Sequence, residues 1–259
     1  MLGFCLTRCS RSYCIPRHTG NRRMTPLWGL VGAVLLVVAA PAWSTVITYT
    51  DSASFLANLP GPATTADFDS LASGDVIASG GTADGITFTY DFGGVDLIVT
   101  DGTAAGGGGP FDTTSSPNFL GSSDLDILLD GDDLILGFST AQAIGLFIIT
   151  AEDPGFTLFD GDLGLTAAGT TAFLDVDAVE DTLPDLSLVF FLGVINDAGT
   201  FTSASLDGFG GGGAFLYNVD DIVTAVPEPG TFVMLSMGLA FLGVRGRSNR
   251  ELTQHSEGD

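Results

Sequence analysis

The middle of the chain, residues 45–226, shows no sustained helical period, and this feature limits the possible folds most strongly. Its apolar runs are short, rich in Ile, Val, Thr, Phe and Leu, and separated by Gly, Asp, Pro and Ser at close intervals. Such a pattern is typical of antiparallel strands joined by tight turns, so it predicts an all-β body built as a sandwich or jelly roll. The predicted strands are Ile86–Tyr90, Asp96–Thr100, Asp126–Leu129, Leu134–Phe138, Ile144–Thr150, Phe156–Phe159, Leu186–Val194, Phe201–Leu206 and Phe215–Thr224.

Capping and turn residues add detail to this prediction. A short helix is expected over Ser52–Asn58, with Asp51 or Ser52 as its N-cap and Pro60 beyond its end. Asp-Gly pairs favour hairpin reversal because both residues tolerate positive φ. These pairs are Asp84-Gly85, Asp130-Gly131, Asp160-Gly161 and Asp207-Gly208. Two glycine runs, Gly106–Gly109 and Gly210–Gly213, predict loops at one rim, and no internal repeat is evident.

Charge separates the body from the two ends of the chain. Residues 45–226 contain 25 Asp and two Glu with no Lys or Arg, which gives a formal charge of −27. All eight basic residues are Arg and lie near the ends. The body therefore repels nucleic acid and anionic lipid, which proteins bind mainly through Lys and Arg. Divalent cations remain possible partners, although solubility alone also explains the composition.

The N-terminal end has the features of an export signal. Leu27–Ala40 is an uninterrupted apolar run, too short for a spanning helix of about 20 residues, and Arg22 and Arg23 precede it. Small residues follow at the spacing that signal peptidase accepts, which predicts cleavage after Ser44, with cleavage after Ala42 as the alternative. We expect residues 1–44 to be a signal peptide with an N-terminal extension, and a short membrane anchor is the alternative.

The C-terminal end combines three features in a fixed order. Pro227, Glu228, Pro229 and Gly230 are followed by an apolar run over residues 231–244 and then by an Arg cluster. The run predicts a single short transmembrane helix of about 21 Å, against a hydrocarbon core of about 30 Å. An Arg cluster marks the cytoplasmic side of a membrane, so both termini are predicted inside and the acidic body outside. The cluster consists of Arg245, Arg247 and Arg250.

This order of motif, apolar helix and Arg cluster resembles the PEP-CTERM sorting signal of Gram-negative bacteria. In that family an exosortase, an integral-membrane enzyme similar to cysteine transpeptidases, processes the tail in species that make exopolysaccharide. The resemblance implies an exosortase as partner, export to the cell envelope, surface or medium, and transient or permanent insertion into the inner membrane. It divides the chain into an acidic β-domain (45–226), a sorting segment (227–250) and a polar tail (251–259), which runs past the usual end of such signals.

The body is also similar to sandwich domains that often accompany this sorting signal. The similar pieces are Asp67-Phe68-Asp69, Gly85-Ile86-Thr87-Phe88, Phe191-Leu192-Gly193-Val194 and Tyr217-Asn218-Val219-Asp220-Asp221-Ile222. This second resemblance implies a lectin-like fold without naming a ligand.

Missing residue types exclude most catalytic chemistry. His occurs only at His18 and His255, and the three Cys all precede the first apolar run. The body therefore has no Ser-His-Asp or Cys-His pair, no Schiff-base Lys and no zinc ligands of the His or Cys type. Its glycine runs also lack the Lys of a phosphate-binding loop. Glycoside hydrolysis remains, because it needs only two carboxylates, and the body offers Glu152, Glu180 and many Asp.

Calcium is the cofactor that the composition best accommodates, since it prefers carboxylate and other oxygen ligands. The candidate ligands are Asp220 and Asp221, followed by Asp130, Asp132 and Asp133. The second group misses the EF-hand spacing, and solvated turn Asp is the alternative explanation for both.

The sequence predicts a non-enzymatic, exported protein of the cell envelope or matrix, associated with exopolysaccharide. Exposed aromatic residues can stack on sugars, and Tyr90 and Tyr217 are the polar-tipped candidates. Two alternatives remain at this point: a carboxylate-pair glycosidase that acts on the matrix, and a plain C-terminally anchored membrane protein.

Overall fold

A computed structural model describes residues 45–103, 112–129, 131–150, 158–209 and 215–227, all in the unit Trp43–Asp259. These residues form one helix, α1 (Ser52–Ala57), and sixteen strands. The strands are β1 (Val46–Tyr49), β2 (Ala63–Ala66), β3 (Val76–Ile77), β4 (Gly81–Ala83), β5 (Ile86–Tyr90), β6 (Leu97–Thr100), β7 (Phe119–Ser122), β8 (Leu128–Leu129), β9 (Leu134–Ala141), β10 (Ala143–Thr150), β11 (Leu163–Ala167), β12 (Thr170–Phe173), β13 (Asp181–Thr182), β14 (Leu188–Asn196), β15 (Phe201–Gly208) and β16 (Leu216–Ala225).

The strands form two antiparallel sheets. The larger sheet, sheet A, has ten strands in the order β1-β14-β10-β16-β7-β6-β3, with β13 beside β14 and with β2 and β8 beside β16. The smaller sheet, sheet B, has six strands in the order β12-β11-β15-β9-β5-β4. The prediction of an all-β antiparallel body is confirmed.

The main core lies between the sheets. Strand alternation sends Leu146 and Leu192 of sheet A into the same buried cluster as Leu136 and Leu206 of sheet B. All four side chains are fully buried. Because one apolar cluster takes residues from both inner faces, the architecture is a sandwich.

The helix covers part of the outer face of sheet A. Phe55 of α1 is fully buried in a second cluster with Phe191, whose ring centroid lies 5.1 Å away. Asp51, one of the two predicted N-cap residues, is the N-cap and accepts a hydrogen bond from the Ser54 N–H at 2.6 Å. A Cβ at Gly193 would lie 2.7 Å from the Phe55 ring, so the absence of a side chain there lets the helix dock.

Several predicted turns and strands need correction. Asp84-Gly85 makes the predicted hairpin between β4 and β5, with φ of 45° and 82°. Asp207-Gly208 is not a turn, because both residues pair with β11 inside β15. The hairpin between β11 and β12 turns instead at Ala168-Gly169, which is not an Asp-Gly pair. Of the predicted strand Phe156–Phe159, the described part is not in a strand.

The predicted signal peptide and C-terminal apolar helix lie outside the described residues. Within the described ranges, no helix is long and apolar enough to cross a membrane.

Candidate functional site

Asp220 and Asp221 lie side by side on β16, a central strand of sheet A. Asp220 is opposite Phe147 of β10, but the register then shifts, so that Val223 is opposite Gly145. Asp221 has a φ of 47°, the left-handed conformation that suits such a bulge. The bulge changes the usual alternation of side chains, and both carboxylates approach the hydroxyl of Thr114. Its Oγ1 lies 2.8 Å from Asp220 Oδ2 and 3.0 Å from Asp221 Oδ2.

The Asp220 carboxylate is fully buried and accepts hydrogen bonds from neutral groups. Its Oδ2 accepts from the hydroxyl of Thr113 and, at 3.0 Å, from the N–H of Ser115. The Ser115 hydroxyl lies 3.3 Å from the same oxygen, and the N–H of Asp221 donates to Oδ1 at 2.8 Å. Hydroxyls and backbone N–H groups therefore solvate this carboxylate in place of a cationic side chain.

Burial controls the electrostatics of the pair. Removal from water raises the pKa of Asp220 to about 6, although the hydrogen bonds from Thr113 and Ser115 oppose the rise. The neighbouring Asp221 carboxylate adds to it. Burial also raises the pKa of Asp221, and the charges of Asp67 and Asp69 act in the same direction.

The Asp67-Phe68-Asp69 segment, which follows β2, is hydrogen-bonded to two other loops. Phe68 has a φ of 59°, and its N–H donates to Asp84 Oδ2 at 3.0 Å. Asp69 Oδ1 accepts from the N–H of Asn118 at 3.0 Å, and the Asn118 side chain donates back to the carbonyl of Phe68 at 3.3 Å. The acids around β16 therefore hold loop backbone in place.

The pair has oxygen donors that suit calcium, namely two carboxylates and the hydroxyls of residues 113–115. Among the residues that the structure describes, no three Asp, Glu, His or Cys side chains lie close enough together to hold a metal. The assignment of calcium to Asp220 and Asp221 stays a prediction.

The second predicted acidic group serves backbone turns. Asp132 Oδ2 accepts from the N–H of Leu129 at 2.7 Å, and burial raises the pKa of Asp132. Asp133 Oδ1 accepts from the N–H of Gly208 at 2.9 Å. The two carboxylates thus bind different backbone groups, and Asp130 lies outside the described residues.

The two tyrosines predicted as sugar contacts both make hydrogen bonds within the fold. Tyr217 is buried, and its hydroxyl donates to the carbonyl of Asp132 at 2.6 Å. Tyr90 is half-buried, stacks on Phe92 at 4.4 Å between ring centroids, and donates its hydroxyl to the carbonyl of Ile77 at 2.7 Å. The expectation of a sugar contact is wrong for the buried Tyr217, and it stays a prediction for Tyr90.

The sorting segment begins where the last strand ends. Strand β16 ends at Ala225, the N–H of Val226 donates to the carbonyl of Pro62 at 3.2 Å, and Pro227 follows. The other predicted sorting and cleavage residues lie outside the described residues. They are Ser44, Glu228, Pro229, Gly230, Arg245 and Arg247.

Comparison with known families identifies this segment. The family model of the PEP-CTERM protein-sorting motif matches residues 225–250. Comparisons with curated proteins and with solved structures give no match. The chain therefore carries a PEP-CTERM sorting motif on an all-β body, and the motif indicates an exported, envelope-directed protein that an exosortase sorts.

Proposed function

We propose that this chain is a non-enzymatic protein of the cell envelope or extracellular matrix that associates with exopolysaccharide after exosortase sorting. The sorting motif at residues 225–250 carries the proposal. The charge pattern supports it, because Arg clusters follow the positive-inside rule at both ends while the body between them has a charge of −27. The described structure adds a sandwich whose last strand leads directly into the motif.

The surroundings of the carboxylates favour a binding protein over a glycosidase. A glycosidase needs two accessible carboxylates on either side of the scissile bond. Asp220, whose pKa is the most raised, has no exposed surface. Glu180 accepts hydrogen bonds from the N–H and hydroxyl of Ser52 and so caps α1. These acids support the fold and are poorly placed to reach a substrate.

The first test measures processing. Intact-mass analysis of envelope material should show a mature chain that begins near Thr45 and lacks the residues after Pro229. Replacing Pro227, Glu228 and Pro229 with alanine should leave the body folded but mislocalised. Replacing the exposed Asp175 and Asp177 with alanine is the control, and it should leave processing unchanged. Detection of Phe232–Arg250 in the mature protein would favour the plain membrane anchor.

The second test measures matrix association and turnover together. The mature protein should co-sediment with the exopolysaccharide of the producing cells and release no new reducing ends from it. Sugar release that Asp221→Asn or Glu180→Gln abolishes would establish the glycosidase instead.

A further inference from the structure

The two outer faces of the sandwich differ in what they present. Helix α1 covers part of sheet A, and buried side chains such as Phe191 and Ile149 lie on that face. On sheet B the outward side chains of the central strands are exposed or half-buried, as at Ile135, which is 50% exposed. This outer face of sheet B, called the B face below, is about 24 Å wide for six strands at about 4.8 Å spacing.

The B face lacks charge across its centre. One row of cross-strand neighbours runs through Thr89, Ile135, Ser205, Thr166 and Thr171. The parallel row two residues away runs through Thr82, Thr87, Gly137 and Ser203. Neither row contains an acid, although the body carries 25 Asp and two Glu. These two rows of the B face therefore present mainly hydroxyl groups, and the next row adds one carboxylate, Asp207, whose Oδ2 accepts from the Ser205 hydroxyl at 2.7 Å.

Two equivalent hairpins border this array. The hairpin at one edge of sheet B has the sequence TADGIT (82–87), and the hairpin at the opposite edge has TAAGTT (166–171). In both hairpins the first and last Thr are cross-strand partners. Their hydroxyls lie 2.9 Å apart for Thr82 and Thr87 and 2.8 Å apart for Thr166 and Thr171. The shared pattern Thr-Ala-x-Gly-x-Thr thus places a hydroxyl pair at each side of the B face.

An aromatic corner completes the surface. Phe173 of β12 and Phe209 after β15 are 49% and 48% exposed, and their ring centroids lie 5.3 Å apart. A Cβ at Gly164 would lie 2.8 Å from the Phe209 ring and 3.3 Å from the Phe173 ring. Glycine therefore lets both rings lie over strand β11, where they present apolar surface beside the hydroxyl rows.

We propose that the B face binds a neutral polysaccharide, with its hydroxyl rows bonding sugar hydroxyls and the Phe173–Phe209 corner packing against the apolar face of a sugar ring. This inference rests on the proposed association with exopolysaccharide and assigns it to a surface. A shallow depression at the centre of the B face, lined by Ile135, Thr166, Ser203 and Ser205, is the place where we expect the polysaccharide to bind.

The negative charge of the body favours a neutral polysaccharide as the ligand of the B face over an anionic polysaccharide or a second copy of the protein. An anionic polysaccharide would be repelled, because the described body offers no cation to pair with it. Docking of a second copy would bring together two bodies that each carry −27, and like charges at close range oppose such an interface. A neutral polysaccharide experiences neither of these repulsions.

The test uses the full-length chain, purified in mild detergent, with dextran and galactomannan as neutral probes and alginate as the anionic probe. The wild type should bind at least one neutral probe and not alginate. The double variant Phe173→Ala with Phe209→Ala, and separately Ser203→Asp, should weaken that binding at least tenfold. The matched controls are Leu56→Ala, which is 51% exposed on α1, and Thr65→Asp, which is exposed on β2; both should bind as the wild type does.

Circular dichroism and thermal melts verify that each variant is folded, and sedimentation reports the oligomeric state. Equal binding by wild type and by both B-face variants, or no binding of any neutral probe, would overturn the proposal. A dimer that Ser203→Asp dissociates would overturn it in favour of a second copy. Localisation in cells distinguishes failure of the proposed function from failure of this inference. If the wild type is absent from the matrix, the proposed function is contradicted. If the B-face variants are retained in the matrix as strongly as the wild type, only this inference is contradicted.

Discussion

Asp220 is a buried carboxylate in a body that has no basic side chain to pair with it. A buried ion costs several kcal/mol unless its surroundings replace the lost water. Here the surroundings are the hydroxyls of residues 113–115 and two backbone N–H groups, which satisfy its hydrogen bonds but add no positive charge. The raised pKa of Asp220 follows directly from that arrangement.

This residue makes the stability of the fold depend on pH. The pKa of Asp220 rises from 3.8 to about 6 on folding, so between these values the folded state binds more protons than the unfolded state. The stability that protonated Asp220 contributes is fully present below about pH 4 and is lost as the pH rises through about 6. At 1.36 kcal/mol per pKa unit, the loss is about 3 kcal/mol between pH 4 and pH 7. Asp220→Asn should lack this component.

Urea denaturation of wild type and Asp220→Asn at several pH values from 4 to 7 measures the difference. The free energy of unfolding of the wild type should fall by about 3 kcal/mol more than that of the variant. Asp91→Asn removes one exposed charge and is the control for general repulsion. Parallel pH profiles for wild type and Asp220→Asn would show that Asp220 does not titrate as described.

At the scale of elements, α1 docks on sheet A because Gly145 and Gly193 leave room for Phe55, and a Cβ at Gly145 would lie 3.0 Å from its ring. A Cβ at Gly193 would lie 2.7 Å from the Phe55 ring and 2.8 Å from the Phe191 ring. Both rings are buried, so neither moves without cost. We expect Gly193→Ala to lower the free energy of unfolding by about 1–3 kcal/mol through overpacking.

Gly137→Ala is the matched control, because its Cβ would meet Thr87 at an ordinary 3.5 Å. It should change stability much less in the same chemical denaturation experiment. Adding Phe55→Ala to Gly193→Ala should relieve the clash, so the two effects should be less than additive. Additive effects would mean that the helix does not rest on this glycine.

The sequence predicted the long strands better than the short ones. Ile86–Tyr90 was predicted with its observed bounds, and the strands that became β10, β14 and β16 were within two residues at each end. Short strands such as Val76–Ile77 carry too few residues for a period to be visible, so tertiary pairing decides them. Ala168-Gly169 was missed because Ala seldom adopts the φ of 51° found there.

The candidate site, like the strands, is predicted from the sequence only in its local features. The Asp220-Asp221 pair is visible in the sequence as a motif. The environment of the Asp220 carboxylate, however, depends on loop residues 113–115, which lie more than a hundred positions away in the chain. The B face was missed because each row takes one or two residues from each of several strands. The repeated Thr-Ala-x-Gly-x-Thr hexapeptide was the available signal, although six residues are too few to stand out as a repeat.

At the scale of the whole molecule, the body depends on its final strand. Strand β16 pairs with β10 on one side and with β2, β7 and β8 on the other, so it joins the two halves of sheet A. A chain that ends after Pro227 should fold, because it keeps every described strand. A chain that ends at Phe215 should not fold, because it leaves the central pairing position of sheet A empty.

Near-ultraviolet circular dichroism and resistance to proteolysis compare the two truncated chains. The longer chain should give a cooperative thermal transition, and the shorter chain should give none. A cooperative transition in the shorter chain would show that β16 is dispensable.

The position of β16 also sets an order of events during export. Strand β16 lies at the centre of sheet A, so the sheet is complete only after Leu216–Ala225 has been exported. The sorting motif, residues 225–250, begins at the end of this strand, so the last strand and the motif are exported together. Completion of sheet A and presentation of the motif to an exosortase therefore depend on export of the same stretch of chain.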